Sequence, residues 1–172
     1  MRKAQMSYCM KNWLFLIFII LTSNLYSQDS LLYETKFAQI WSTRYSLPED
    51  ALTPTFDDTS FIYFLNNKEN VLPFLIDKIA DTSFTNVERK NTNSFYKKGE
   101  LALIIISNIK DIPFASLTGM QWCICCETGY IPVDFFSYLE KNRLSFQLNY
   151  KNYYLANKRK KSSKRFSKSP KT

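Results

Sequence analysis

The chain has 172 residues, with 23 Lys and Arg against 15 Asp and Glu, no histidine, three glycines and four cysteines. That length suits one compact domain with its own core, and 45% hydrophobic residues, with aromatics at 16% of the chain, supply enough apolar surface to fold it. The missing histidine excludes Ser-His-Asp and Cys-His nucleophile systems, histidine metal ligands and a histidine pH switch, and Gly99, Gly119 and Gly129 stand too far apart to write a dinucleotide-binding or P-loop motif.

Arg2, Lys3 and Lys11 precede an apolar run from Trp13 to Leu21 (WLFLIFIIL), which Thr22, Ser23 and Asn24 close. Crossing roughly 30 Å of hydrocarbon takes about 20 residues, so the run is too short for a transmembrane anchor. A basic segment followed by a short apolar one is the pattern of a secretory signal peptide. The expected signal peptide is 1–27, with cleavage after Ser27. Leu25 is larger than the small residue such sites prefer, and Met10-Lys11-Asn12 would itself make a conventional start. The expected location is therefore outside the cytoplasm, periplasmic or extracellular.

Export redistributes the charge. Residues 1–27 hold three cations and 158–172 hold eight, neither with an acid, which leaves 12 basic and 15 acidic residues over 28–157. The body is thus mildly acidic, at −3, and the overall +8 belongs to the ends.

The spacing predicts helices along 28–157. Tyr33, Phe37, Ile40 and Trp41 recur at helical intervals behind Asp29 and Ser30, both suited to an N-cap. Leu47-Pro48 ends that segment. Asp57 and Asp58 are placed to cap a second helix with Phe61, Phe64 and Leu65 on its apolar face. Asn66-Asn67 turns the chain, and Asn70 is placed to cap Val71–Ala80, with Val71, Leu75 and Ile79 aligned and Pro73 in the tolerated first turn. The pair makes an αα-hairpin. Residues 82–97 are polar and aperiodic and predict a long loop.

Glu100–Ile109 could by composition be a buried strand, because Ile104–Ile106 are β-branched. The helical face Ala102, Ile105, Ile106 and Ile109, with Glu100 at the positive end of the dipole, favours a central buried helix. Ile112-Pro113 stops it.

Next comes Trp122-Cys123-Ile124-Cys125-Cys126. In an oxidising compartment, Cys123 and Cys126 have the spacing of a small disulfide, with Cys125 left over. Three thiolates could alternatively hold copper(I), and a zinc site would need Glu127 or another chain as fourth ligand. Thiol redox chemistry would need a lowered thiol pKa, which Glu127 opposes. Structural or inert cysteines are the reading these rules favour, with no resident cofactor and no catalytic residue. The carboxylate pairs Glu49-Asp50 and Asp57-Asp58 suit caps and loops, since adjacent residues do not face each other across a substrate.

Pro132 suits the start of a helix bearing Val133, Phe136 and Leu139. Lys141-Asn142 predicts a turn or bend, and a last helix follows with Leu144, Leu148, Lys151 and Leu155, flanked by Phe146, Tyr150, Tyr153 and Tyr154, its basic end at Lys158–Lys161 complementing the dipole. These aromatics at helical spacing are expected in the core. The tail 158–172, nearly free of apolar residues, predicts a disordered basic arm, whose partner would be an anionic surface or polyanion, if it has one.

Several runs carry a resemblance: VLPFLIDKIADTSFTN, KKGELALIIISNIKDIPF, TGMQWCICC, and FFSYLEKNR with the later YKNYY. Over about residues 55–157 the chain resembles a group of exported proteins of unknown function from Bacteroidetes-type bacteria. The resemblance implies a small helical, HEAT-like domain and the same compartment, and it carries no activity with it. The expected fold is all-α: a single domain of short helices and hairpins, a fragment of α-solenoid in type. The expected role is a non-catalytic binding or structural module with an unknown protein partner; the alternative is a thiol-redox or copper-handling protein centred on Cys123, Cys125 and Cys126.

Overall fold

The structure, a computed structural model, describes residues 29–43, 45–46, 55–56, 58–89, 94–122, 131–132 and 134–166, with 45–46, 55–56 and 161–166 described for their backbone alone. The chain divides into two compact units, Met1–Ala38 and Gln39–Thr172. In the first, residues 29–38 are helical (α1), with the Thr35 hydroxyl donating to the Leu31 carbonyl at 2.9 Å. Ile40 and Trp41, expected on this helix, lie beyond its end.

The second unit is mostly helical. Two short strands, β1 (Tyr45–Ser46) and β2 (Thr55–Phe56), pair antiparallel with Tyr45 opposite Phe56. Helix α2 (Thr59–Asn67) follows, then a 3-10 turn at Lys68–Asn70 and α3 (Leu72–Lys78). Both expected helices form, with Phe61, Phe64, Val71, Leu75 and Ile79 buried and Leu65 half-buried, and each packs against α4. Asn70 ends the 3-10 turn and does not cap α3, whose N-cap position is Val71; Pro73 sits in the first turn, where its missing N–H costs nothing.

Residues 82–97, expected as a loop, contain an antiparallel hairpin of β3 (Phe84–Glu88) and β4 (Phe95–Lys97). Its register slips between Phe84, opposite Lys97, and Glu88, opposite Phe95. The Thr85 hydroxyl fills the irregularity, donating to the Tyr96 carbonyl at 2.8 Å and accepting from the Val87 amide at 3.2 Å. In β3 only Val87 is buried, so the strand has no apolar alternation to read.

Helix α4 (Lys98–Ile109) is the central element, buried from Gly99 to Leu103 and from Ile105 to Ser107. It packs against α2, α3 and the hairpin. The β-branched run is therefore helical, because burial on most sides outweighs local strand propensity. Pro113 leads the short α5 (Phe114–Thr118), which ends on Gly119 in the left-handed conformation at φ 71°. Helix α6 (Phe135–Phe166) begins three residues after Pro132 and bends at Asn142 (φ −129°, ψ 18°), where the sequence predicts a bend.

Beyond the bend, α6 buries Arg143, Phe146, Tyr150 and Tyr154, while Leu144, Leu148 and Leu155 are exposed. Of the expected aromatics, Phe146, Tyr150 and Tyr154 are core residues and Tyr153 is exposed, and the leucine row faces outward. The helix continues to Phe166, so residues 158–166 of the segment expected as a disordered arm are helical. Lys and Arg are good helix formers, and cations at a helix C-terminus complement its dipole.

Candidate functional site

Helix α6 reaches across α3 with residues spaced four apart. Arg143 donates from Nη1 to the Ile79 carbonyl at 3.4 Å. Gln147 donates from Nε2 to the Ile76 and Asp77 carbonyls at 3.1 and 2.7 Å, and Lys151 pairs with the Asp77 carboxylate at 2.7 Å. Arg143 and Gln147 thus serve carbonyls at the C-terminal end of α3, where helix carbonyls run out of intrahelical donors; of these the Ile76 carbonyl also accepts from the Ile79 amide at 3.3 Å.

Arg143 also forms one side of a buried ion triad. Its Nη2 is 3.0 Å from Glu100 Oε1, and Arg89 Nη2, at the end of β3, is 2.6 Å from Glu100 Oε2. Glu100 Oε2 further accepts from the Lys97 amide at 2.8 Å, closing a capping box at the start of α4. Arg89 lies 5.4 Å from the centre of the Tyr96 ring and 5.5 Å from that of Phe136. Its Nε is a buried donor without a partner. Burial pushes the Tyr96 hydroxyl pKa up, partly offset by the Arg89 charge. Nearby, the Lys97 ammonium is 2.8 Å from Glu140 and holds that carboxyl below its usual range.

Glu100 thus accepts from two guanidiniums and an amide, the pattern of a buried structural carboxylate. The triad fastens the β3–β4 hairpin to α4 and α6. Asp58 is similarly engaged: its carboxylate accepts from the Ser60 and Phe61 amides, as an N-cap should, and also from Trp41 at 2.6 Å and Ser42 at 3.2 Å.

The cysteine segment lies outside the described residues, so Cys123, Cys125 and Cys126 have no geometry to report, and neither do Glu49, Asp50, Asp57 and the segment 1–27. Trp122, just before the cysteines, is anchored: its Nε1 donates to Thr118 Oγ1 at 2.9 Å and its ring meets Phe135 and Tyr138 edge-on. Among the described residues no three His, Cys, Asp or Glu side chains are grouped to hold a metal ion, and no helix is long and apolar enough to cross a membrane.

What the second unit presents outward is the far side of α6. Leu144 is 74% exposed, Leu148 58% and Leu155 42%; at 3.6 residues per turn they fall within about 40° of one another. The same helix then carries Lys158, Arg159, Lys160, Lys161, Lys164 and Arg165. The sequence reading missed Arg89 and Arg143 as partners of Glu100. Arg143 had a signal: it falls in phase with Leu139, Phe146, Tyr150 and Tyr154, and a charge in phase with a buried face implies a buried counter-charge. No family model, curated protein or solved structure matches this chain.

Proposed function

We propose that the protein is an exported, non-catalytic binding module that engages an anionic partner through the cationic end of α6. One observation carries the reading: a single helix docked by its aromatic face continues into six cations with no acid among them. Arg89 and Arg143 are both engaged on Glu100, and the excess of positive charge in the sequence lies beyond Asn157, where eight cations stand with no acid. Export rests on the signal-peptide pattern of 1–27 and on the resemblance to exported proteins, and the two successive short helices α2 and α3, joined by a tight turn, support a HEAT-like comparison.

After cleavage the chain carries about +5, and truncation after Asn157 brings it to about −3, at the ordinary charge states of neutral pH. The test is retention of both forms on heparin and on anionic vesicles across a salt series. The full mature chain should elute at clearly higher salt, because screening shortens to about 8 Å at physiological ionic strength. Equal elution of the two forms would overturn the reading.

A further inference from the structure

Resting on that reading, we infer that the anionic partner is a lipid surface and that the outward face of α6 lies in its interface. The exposed leucines and the cations occupy one continuous helix. From Leu144 to Leu155 the apolar row runs about 16 Å, and the helix to Phe166 adds about the same length again. A hydrophilic polyanion such as DNA or heparin satisfies the cations and leaves Leu144, Leu148 and Leu155 in water. A bilayer of anionic lipid takes both, the leucines entering the acyl boundary and the cations meeting headgroup phosphates. Stable peripheral attachment takes two signals, and an apolar face next to a polybasic segment supplies them. Lys151, between Leu148 and Leu155, is itself a cation and offsets the charge of the Asp77 carboxylate on α3. A second copy of the chain fits less well, because two such helices would bring their cationic ends into proximity.

The experiment uses the full mature chain, starting at Gln28, in three forms: unaltered, Leu144→Ser/Leu148→Ser/Leu155→Ser, and Lys158→Gln/Arg159→Gln/Lys160→Gln. Each is measured for partition onto phosphatidylglycerol-containing vesicles, for heparin retention and for sedimentation, with circular dichroism as a check on folding. The leucines are exposed, so their replacement should leave the helical spectrum and melting temperature essentially unchanged. The expected result is that the leucine variant partitions onto vesicles about tenfold more weakly and keeps its heparin retention, while the cation variant weakens on both. If the leucine variant partitions like the unaltered chain and the cation variant does not, the lipid inference fails and the binding-module reading stands, with a soluble polyanion as partner. A dimer of the unaltered chain that the leucine substitutions dissociate, with vesicle partition unchanged, would instead give the face to a second copy. Failure of the unaltered chain on both vesicles and heparin would overturn the inference and the underlying reading together.

Discussion

Glu100 on α4 and Arg143 on α6, 43 residues apart in the chain, meet in a buried ion pair 3.0 Å long. Neither could be buried alone, since stripping water from an unpaired charge costs several kcal/mol. The pair therefore holds only if α4, α6 and the Arg89 end of the hairpin assemble together. Glu100→Gln leaves Arg89 and Arg143 facing a neutral amide and should cost about 3–5 kcal/mol in chemical unfolding. Arg143→Met should cost less, because Arg89 still serves Glu100, although the Ile79 carbonyl loses a donor. Arg89→Met should cost least, because that side chain is 28% exposed and water can take its place. Equal effects for all three would mean that the triad does not couple these elements.

Gly99→Ala isolates the close passage of α3 over the start of α4. A Cβ at position 99 would collide with the Ile79 carbonyl oxygen, which is backbone, and would lie 2.8 Å from Arg143 Nη1. In an open helix Gly→Ala gains roughly 0.5–1 kcal/mol. Here the substitution should instead destabilise, by about 1–3 kcal/mol, as overpacking does. A stabilised variant by thermal melting would show that the two helices separate easily.

Much of the fold was legible because its signals are local. Asp58 as a cap, Pro73 in a first turn, the Phe61–Phe64 and Val71–Leu75–Ile79 faces and the bend at Asn142 each depend on residues within one or two turns. The β3–β4 hairpin was not legible, because its strands bury little and are held by Thr85, by Arg89 and by pairing across the turn. The orientation of α6 was ambiguous for a different reason. Two rows, Leu144–Leu148–Leu155 and Phe146–Tyr150–Tyr154, both repeat at helical spacing, and only the rest of the body determines which one it covers. Of the candidate site, the run of cations was visible and Lys158–Lys161 read as the basic end of the last helix, while the helix's extension to Phe166 was not legible, since charge density alone reads as disorder.

Asp58 ties residues 41–42 to the start of α2 through four backbone amides, so its loss should exceed that of an ordinary cap. Ordinary N-cap replacements by Ala cost about 0.5–2 kcal/mol. Asp58→Ala should cost about 2–4 kcal/mol, because the Trp41 and Ser42 amides lose their acceptor in the same step. Asp58→Asn keeps one acceptor oxygen and should fall in between. Trp41 is exposed, so its fluorescence can also report whether the 41–42 segment detaches before global unfolding.

The aromatic seam under α6 gives the protein an alkaline limit. Tyr150 is buried and stacks on Phe146 and Tyr153 at centroid distances of 6.2 and 6.4 Å. Burial pushes its hydroxyl pKa well above the ordinary value near 10, and the neighbouring Tyr153 and Tyr154 push the same way. Above pH ~10 the unfolded chain releases this proton while the folded chain retains it, so the folded state binds more protons and stability falls as pH rises. Below the unfolded value the contribution is fully present. Tyr96, raised mainly by its own burial, adds a second term of the same sign. Melting temperature should therefore be flat from pH 7 to 9 and decline between 10 and 11. Tyr150→Phe keeps the ring, removes the ionisation and should flatten that decline; an unchanged alkaline slope in this variant would assign the limit to other groups.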